Sequence, residues 1–284
     1  MSIIIPFAGA GALLEATGST LEKTVLRKRK INFRDFIVWH FLTIILVMIP
    51  FLLFFWNMAP EAFLLKNILI LAGVIISSVL ANIFMFYSLK WENLTTLEPA
   101  RLFQPLFVVL LALIFYVSER QTQSGVLIAA FIASLALVIS SIKKHHLQLN
   151  KYIVAALLGS FFFALELVIS RAILPFYNPL TFYFVRCSLV FLAVLAIFRS
   201  KPSYIDKKSW KLLWMIGAVW AAYRSLLYFG FLNFGVIFTT LIFILAHVFI
   251  YIFARIFLKE KFTLRNIISA IIIIACVAYA ISIA

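Results

Sequence analysis

Several side chains that ionise stand inside long apolar runs of this chain, among them Glu15, His40, Arg101, Glu166, Arg186, Arg224 and His247. On insertion scales a charged residue at the centre of a membrane helix costs about 2.5–3.5 kcal/mol, so each needs a partner or a use. A buried arginine holds a carboxylate or phosphate through paired hydrogen bonds. Arg224 is the first candidate for that role, with Arg186 and Arg101 beside it. The imidazole of His247 and the neutral groups of Tyr228 and Asn82 complete the candidate binding set, with Tyr87, Tyr223 and Asn233 as further neutral donors. Glu15 and Glu166, once desolvated, can take up a proton or hold an amine, and His40 is a third proton carrier. Arg101, Arg186 and Arg224 are balanced by Glu15, Glu98 and Glu166, which suits a zwitterion better than a strongly anionic solute. The packing alternative uses the same residues to lock helices together: Glu166 with Arg186 or Arg224, Glu15 with His40, and Glu98 with Arg101 three positions on.

The elements that position these groups follow from composition. Hydrophobic residues make up 65% of the 284 and charged residues 12%, too few charges to cover a water-facing surface. Most of the surface must face lipid. A net charge of +15 would suit nucleic acid on a soluble domain, but the basic residues fall between apolar runs and that partner is set aside. Ten runs are long enough to cross a bilayer: 3 to 22, 36 to 56, 65 to 89, 95 to 117, 122 to 142, 150 to 174, 179 to 198, 211 to 233, 236 to 258 and 264 to 283. The first run has no basic residues ahead of it and carries Glu15, so it reads as a span and not a leader. Trp39, Trp56, Trp91 and Trp210 fall near the expected ends, where the headgroup layer suits an indole. Cys187 and Cys276 sit within runs as small buried side chains; no metal or disulfide spacing is present.

A repeat organises the ten spans. The hairpin around Ser118-Glu119-Arg120 returns about 141 positions later around Lys259-Glu260-Lys261, and the same offset aligns Tyr87 with Tyr228, Ala81 with Ala222 and Ala129 with Ala270. Internal symmetry of this kind marks secondary transporters, whose substrate sites lie between the repeats. The expected units are residues 1–146 and 147–284. Five spans per unit is an odd number, so the second unit enters the membrane from the opposite side. Eighteen lysines and arginines lie in or border the connections after spans one, three, five, seven and nine, against Lys66, Arg120 and Arg171 in the others. By that bias the first set faces the cytoplasm and both termini face outward.

The hairpins also resemble a known family. Leu97-Glu98-Pro99, then an apolar helix to Ser118-Glu119-Arg120-Gln121-Thr122, is similar to the EamA-type fold of the drug/metabolite transporter superfamily, and Leu258-Lys259-Glu260-Lys261-Phe262-Thr263 is similar to the same turn. Arg186 matches an arginine often found in that helix of the repeat, whereas His40 stands at the corresponding place in span two. The resemblance implies an all-α, ten-helix carrier of small metabolites in the cell membrane, and termini in the cytoplasm, the opposite of the charge tally. The turn glutamates Glu119 and Glu260 read as helix caps and not transport residues.

The expected function is therefore secondary active transport, efflux of a small polar metabolite (an amino acid-like zwitterion or small organic anion) by alternating access, with proton coupling through Glu15, Glu166 or His40. Movement of a lipid-linked polar headgroup is the alternative. An enzyme is disfavoured: His145-His146 has no carboxylate or cysteine companion and belongs to a basic loop. Expected partners are the substrate and the bilayer, with a homodimer open, and no cofactor. Gly9-Ala10-Gly11-Ala12 and Gly217-Ala218 permit close helix approach, and Pro105 can bend its helix.

Overall fold

The computed structural model describes residues 4–28, 31–92, 97, 100–116, 124–141, 150–199, 206–249 and 264–283. Among them the chain is helical and forms no strand. The named helices are α1 (Ile4–Lys28), α2 (Phe33–Phe55), α3 (Leu65–Trp91), α4 (Phe103–Phe115), α5 (Ser124–Ser141), α6 (Lys151–Ile173), α7 (Pro179–Phe198), α8 (Lys207–Phe234), α9 (Val236–Phe243) and α10 (Leu264–Ile283). Short 3-10 turns at Pro60–Phe63 and Leu174–Phe176 precede α3 and follow α6. The starts of α2, α6 and α7 are set by asparagines: the carboxamide oxygens of Asn32, Asn150 and Asn178 accept backbone N–H groups of the first turn, which those helix ends otherwise leave unmet.

α2, α3, α7, α8 and the helix through Lys151–Phe176 are long and apolar enough to cross a membrane; α4, α9 and parts of α5 and α10 are shorter apolar helices. α1 has the length, at 25 residues, but carries Glu15, Glu22 and Lys23 and is not in that set. Bulky apolar side chains face outward: Leu53 is 84% exposed and Phe54 83%, a surface that only lipid would stabilise.

Two expected spans are interrupted. The run 95 to 117 breaks at Leu102, and Pro105 explains it, because a proline has no N–H to donate and its ring clashes with the carbonyl four residues earlier, that of Arg101. The run 236 to 258 breaks at Ile244, where the His247 amide bonds back only three residues, to the Ile244 carbonyl at 3.1 Å. No proline marks that second break.

α3 packs broadly on α6 and α1 on α8; α2 packs on α7 and α8, α4 on α6, and α5 on α10 and α9. Close approach is a matter of missing side chains. A Cβ on Gly217 would stand 2.9 Å from the Thr43 backbone of α2, and one on Gly159 would stand 3.1 Å from the Met85 nitrogen of α3. The reversal between α8 and α9 turns on Gly235, whose φ of 83° excludes most side chains.

The helix ends sort onto two faces. On one, Lys90 Nζ donates to the carbonyls of Leu26 and Ile31, Lys23 Nζ donates to that of Glu92, and the Asn150 amide donates to the Glu92 carboxylate. Arg34 lies over the ring of Phe198, and Trp39 packs edge-on against Trp210. This face gathers the ends of α1, α3 and α7 with the starts of α2, α6 and α8. On the other, the α2–α3 and α6–α7 connections are joined by Ala59 N–H to Phe176 O at 2.9 Å and Asn178 N–H to Asn57 O at 3.0 Å. Lysines and arginines crowd the first face.

Candidate functional site

Between the helices lies a cavity. Its charged wall comes from Glu15 and Glu22 on α1, Arg101 just ahead of the Leu102 break, Arg186 on α7 and Arg224 on α8. His40, Asn82, Gln104, Tyr183, Trp220 and Tyr223 add neutral polar groups. A second cavity shares Glu15, Arg101, Gln104 and Tyr223 with the first and is otherwise lined by His247, Thr240 and apolar side chains that include Leu227, Phe231 and Phe243. The two are neighbours across shared side chains, the first more charged and the second more apolar in its lining.

Helix periodicity explains how one face of α1 serves this space. Glu15, Ser19 and Glu22 recur at i, i+4 and i+7, which brings them to the same side. Ser19 Oγ accepts from Arg101 Nη2 at 3.0 Å, and Glu15 accepts from the Tyr223 hydroxyl at 2.8 Å. On α8, Trp220, Arg224 and Tyr228 repeat at i, i+4 and i+8 and line up along the inward face.

The floor is built on Glu166. Its carboxylate is 0% exposed; Oε1 lies 3.0 Å from Arg186 Nε, Oε2 lies 3.5 Å from Arg224 Nη1, and the Tyr228 hydroxyl donates to Oε1 at 2.8 Å. Arg186 also donates from Nη2 to Ser78 Oγ on α3 at 2.6 Å. One carboxylate thus orients two guanidinium groups while the arginines, and not the carboxylate, meet the cavity. Ring faces finish the setting, with Arg186 5.5 Å from the Tyr183 centroid and Arg224 5.7 Å from that of Phe163.

Of the residues expected at a binding site, Arg101, Arg186, Arg224, Asn82, Glu15 and His40 line the first cavity, and His247 lines the second. Glu166 and Tyr228 stand behind the arginines, outside both linings. The Asn82 amide donates to Ser78 O on its own helix at 2.7 Å. Tyr87 packs with Phe33 and Tyr152 near the basic end, and Asn233 is exposed and bonded to Phe229 O of its own helix. The expected pairing of Glu15 with His40 is corrected: His40 Nδ1 faces Glu22 Oε1 at 3.7 Å. Glu98, Glu119 and Glu260 lie outside the described residues.

Glu22 is absent from the residues that the sequence singles out, because the first apolar run ends at it; α1 continues to Lys28, which carries Glu22 inside. Its spacing of seven from Glu15 is the signal that could find it. Trp220, Tyr183 and Gln104 are absent too, and nothing in their types separates them from packing residues.

Comparison with known proteins adds three findings. The model of the EamA-like transporter family matches residues 150–282. A crystal structure described only as that of a protein is similar over 99% of this chain and 98% of its own, with a TM-score of 0.76 at 15% identity, a likeness that shows the fold alone. No curated protein matches the chain.

Proposed function

We propose, from the match of residues 150–282 to the model of the EamA-like transporter family, that the protein is a secondary transporter that moves a small zwitterion, amino acid-like, by alternating access. The observation that carries the reading is the floor of the cavity. Arg186 and Arg224, held in place by Glu166, offer their remaining N–H groups to a substrate carboxylate, while Glu15 and Glu22 on the opposing helix suit its amine. Three arginines and three carboxylates, Glu166 included, leave the chamber balanced, as a zwitterion requires.

Two five-helix units, 1–146 and 147–284, are the moving parts in this proposal. Support comes from the packing pattern. Exchanging α1 with α6, α2 with α7, α3 with α8 and α5 with α10 turns the α3–α6 contact into the α8–α1 contact and returns α2–α7 and α5–α10 to themselves. Such an exchange is expected of inverted repeats around a central site. With the basic face in the cytoplasm, both termini lie outside.

The test is ligand-induced stabilisation of the purified protein, followed by counterflow in liposomes. A zwitterionic amino acid at 100 times its Kd adds about 2.7 kcal/mol of stability. Arg224→Ala removes both that gain and counterflow. Stabilisation by phosphoethanolamine and by no amino acid would move the assignment to a lipid headgroup.

A further inference from the structure

Three carboxylates stand at or behind the cavity wall in unlike settings, Glu22 and Glu166 buried and Glu15 half-buried. Glu166 is met by Arg186, Arg224 and the Tyr228 hydroxyl, and Glu15 by the Tyr223 hydroxyl. Glu22 is 4% exposed, and its ion-pair partner among the described residues is the imidazole of His40, itself 4% exposed, at 3.7 Å. That separation exceeds hydrogen-bond length. His40 Nδ1 makes no hydrogen bond among the described residues, and the Trp220 indole N–H, on the same cavity wall, is the polar group beside Glu22. The rings of Phe36, Phe41 and Phe86 enclose His40 at centroid distances of 5.5, 5.2 and 5.3 Å.

A buried carboxylate with so little direct compensation lowers its free energy by taking a proton. We propose that Glu22, facing His40, is the proton-binding site of this carrier. The proton comes from cavity water and forms an O–H bond on the Glu22 carboxyl, which then donates to His40 Nδ1; the same bond breaks when the proton returns to water. The groups that face this pair are Glu15 on α1, Arg101 ahead of α4, Tyr183 and Arg186 on α7, and Tyr223 and Arg224 on α8, while α3 contributes uncharged Asn82, Met85 and Phe86. Arg186 and Arg224 are engaged by Glu166, and Arg101 donates to Ser19; among the described residues no arginine forms an ion pair with Glu22, and Arg101 and Arg224 act on it from further off. A substrate amine and a proton then compete for Glu22, which is how a single site couples the two.

The inference rests on the transporter reading for its use, and its test does not need a substrate. Infrared spectra of the protein in lipid bilayers, stepped through pH, are expected to show a carboxylic-acid carbonyl band that grows as pH falls. Glu22→Gln is expected to remove the titrating component and Glu15→Gln to retain it. A band that survives Glu22→Gln, or its absence from the wild type, overturns the proposal. If Glu22→Gln does not fold, His40→Gln carries the test: the midpoint of the band is expected to move by about one pH unit, the size of one lost contact to a buried charge, and an unmoved midpoint overturns the proposal. A titrating band in a protein without counterflow would sink the transporter reading and leave the protonation standing.

Discussion

Glu166→Gln keeps the shape of the side chain and removes the one negative charge that faces both Arg186 and Arg224. The Tyr228 hydroxyl can still donate to the new amide oxygen, so its hydrogen bond survives in weaker, neutral form. The guanidinium groups fare worse. They are 2% and 6% exposed, and loss of one partner from a buried ion pair costs about 3–5 kcal/mol because the other charge stays buried without compensation. Equilibrium unfolding in mixed micelles should therefore lose about that much stability. A second step isolates the cause. Arg186→Met in the Glu166→Gln background removes an orphaned charge, and the pair should recover about 0.5–3 kcal/mol relative to the sum of the single changes. A loss below about 1 kcal/mol for Glu166→Gln, the range of exposed pairs, with no recovery in the double variant, would refute the view that this carboxylate is the electrostatic floor of the cavity.

Other expectations follow from the same geometry. Tyr228→Phe removes the donor to Glu166 Oε1 and should cost about 1.5–3 kcal/mol in the same unfolding assay. Gly217→Val would push α8 from α2, where even a Cβ meets backbone at 2.9 Å, and is expected to cost about 1–3 kcal/mol, whereas Gly9→Ala, with open space around it, should leave thermal stability unchanged. Asn178→Ala strips the first turn of α7 of its side-chain acceptor, a loss of about 1 kcal/mol. Orientation is open to labelling: with Cys187 and Cys276 replaced, a cysteine at Glu61 should react with an impermeant thiol reagent from outside intact cells, and one at Lys208 only after permeabilisation.

The apolar runs make most of the fold legible in the amino-acid sequence, because length and hydropathy are the properties a bilayer selects. The starts of α3, α7 and α10 fall within a residue of the expected spans. Interruptions are harder to read. Pro105 gives fair warning of the break at Leu102, but Ile244 sits in an unbroken apolar stretch, and the tightened turn there is decided by tertiary packing. At the site, the arginines are readable because charge inside an apolar run is rare. Their partners are not: Glu15 and Glu22 differ by two turns of one helix, and only the tertiary packing of α1 decides which meets His40. Glu166 is expected from its position to face the substrate, yet sequence cannot tell a carboxylate that lines a void from one that stands behind two arginines.

Two guanidinium groups on one carboxylate leave the floor of the empty chamber one positive charge in excess. Such a spot attracts small anions of any kind. Chloride, acetate or phosphate from the buffer will settle there and compete, so apparent affinities for any carboxylate-bearing compound should weaken as salt is added even though the chamber is shielded from bulk screening. Counter-ions chosen for convenience can hide a genuine ligand.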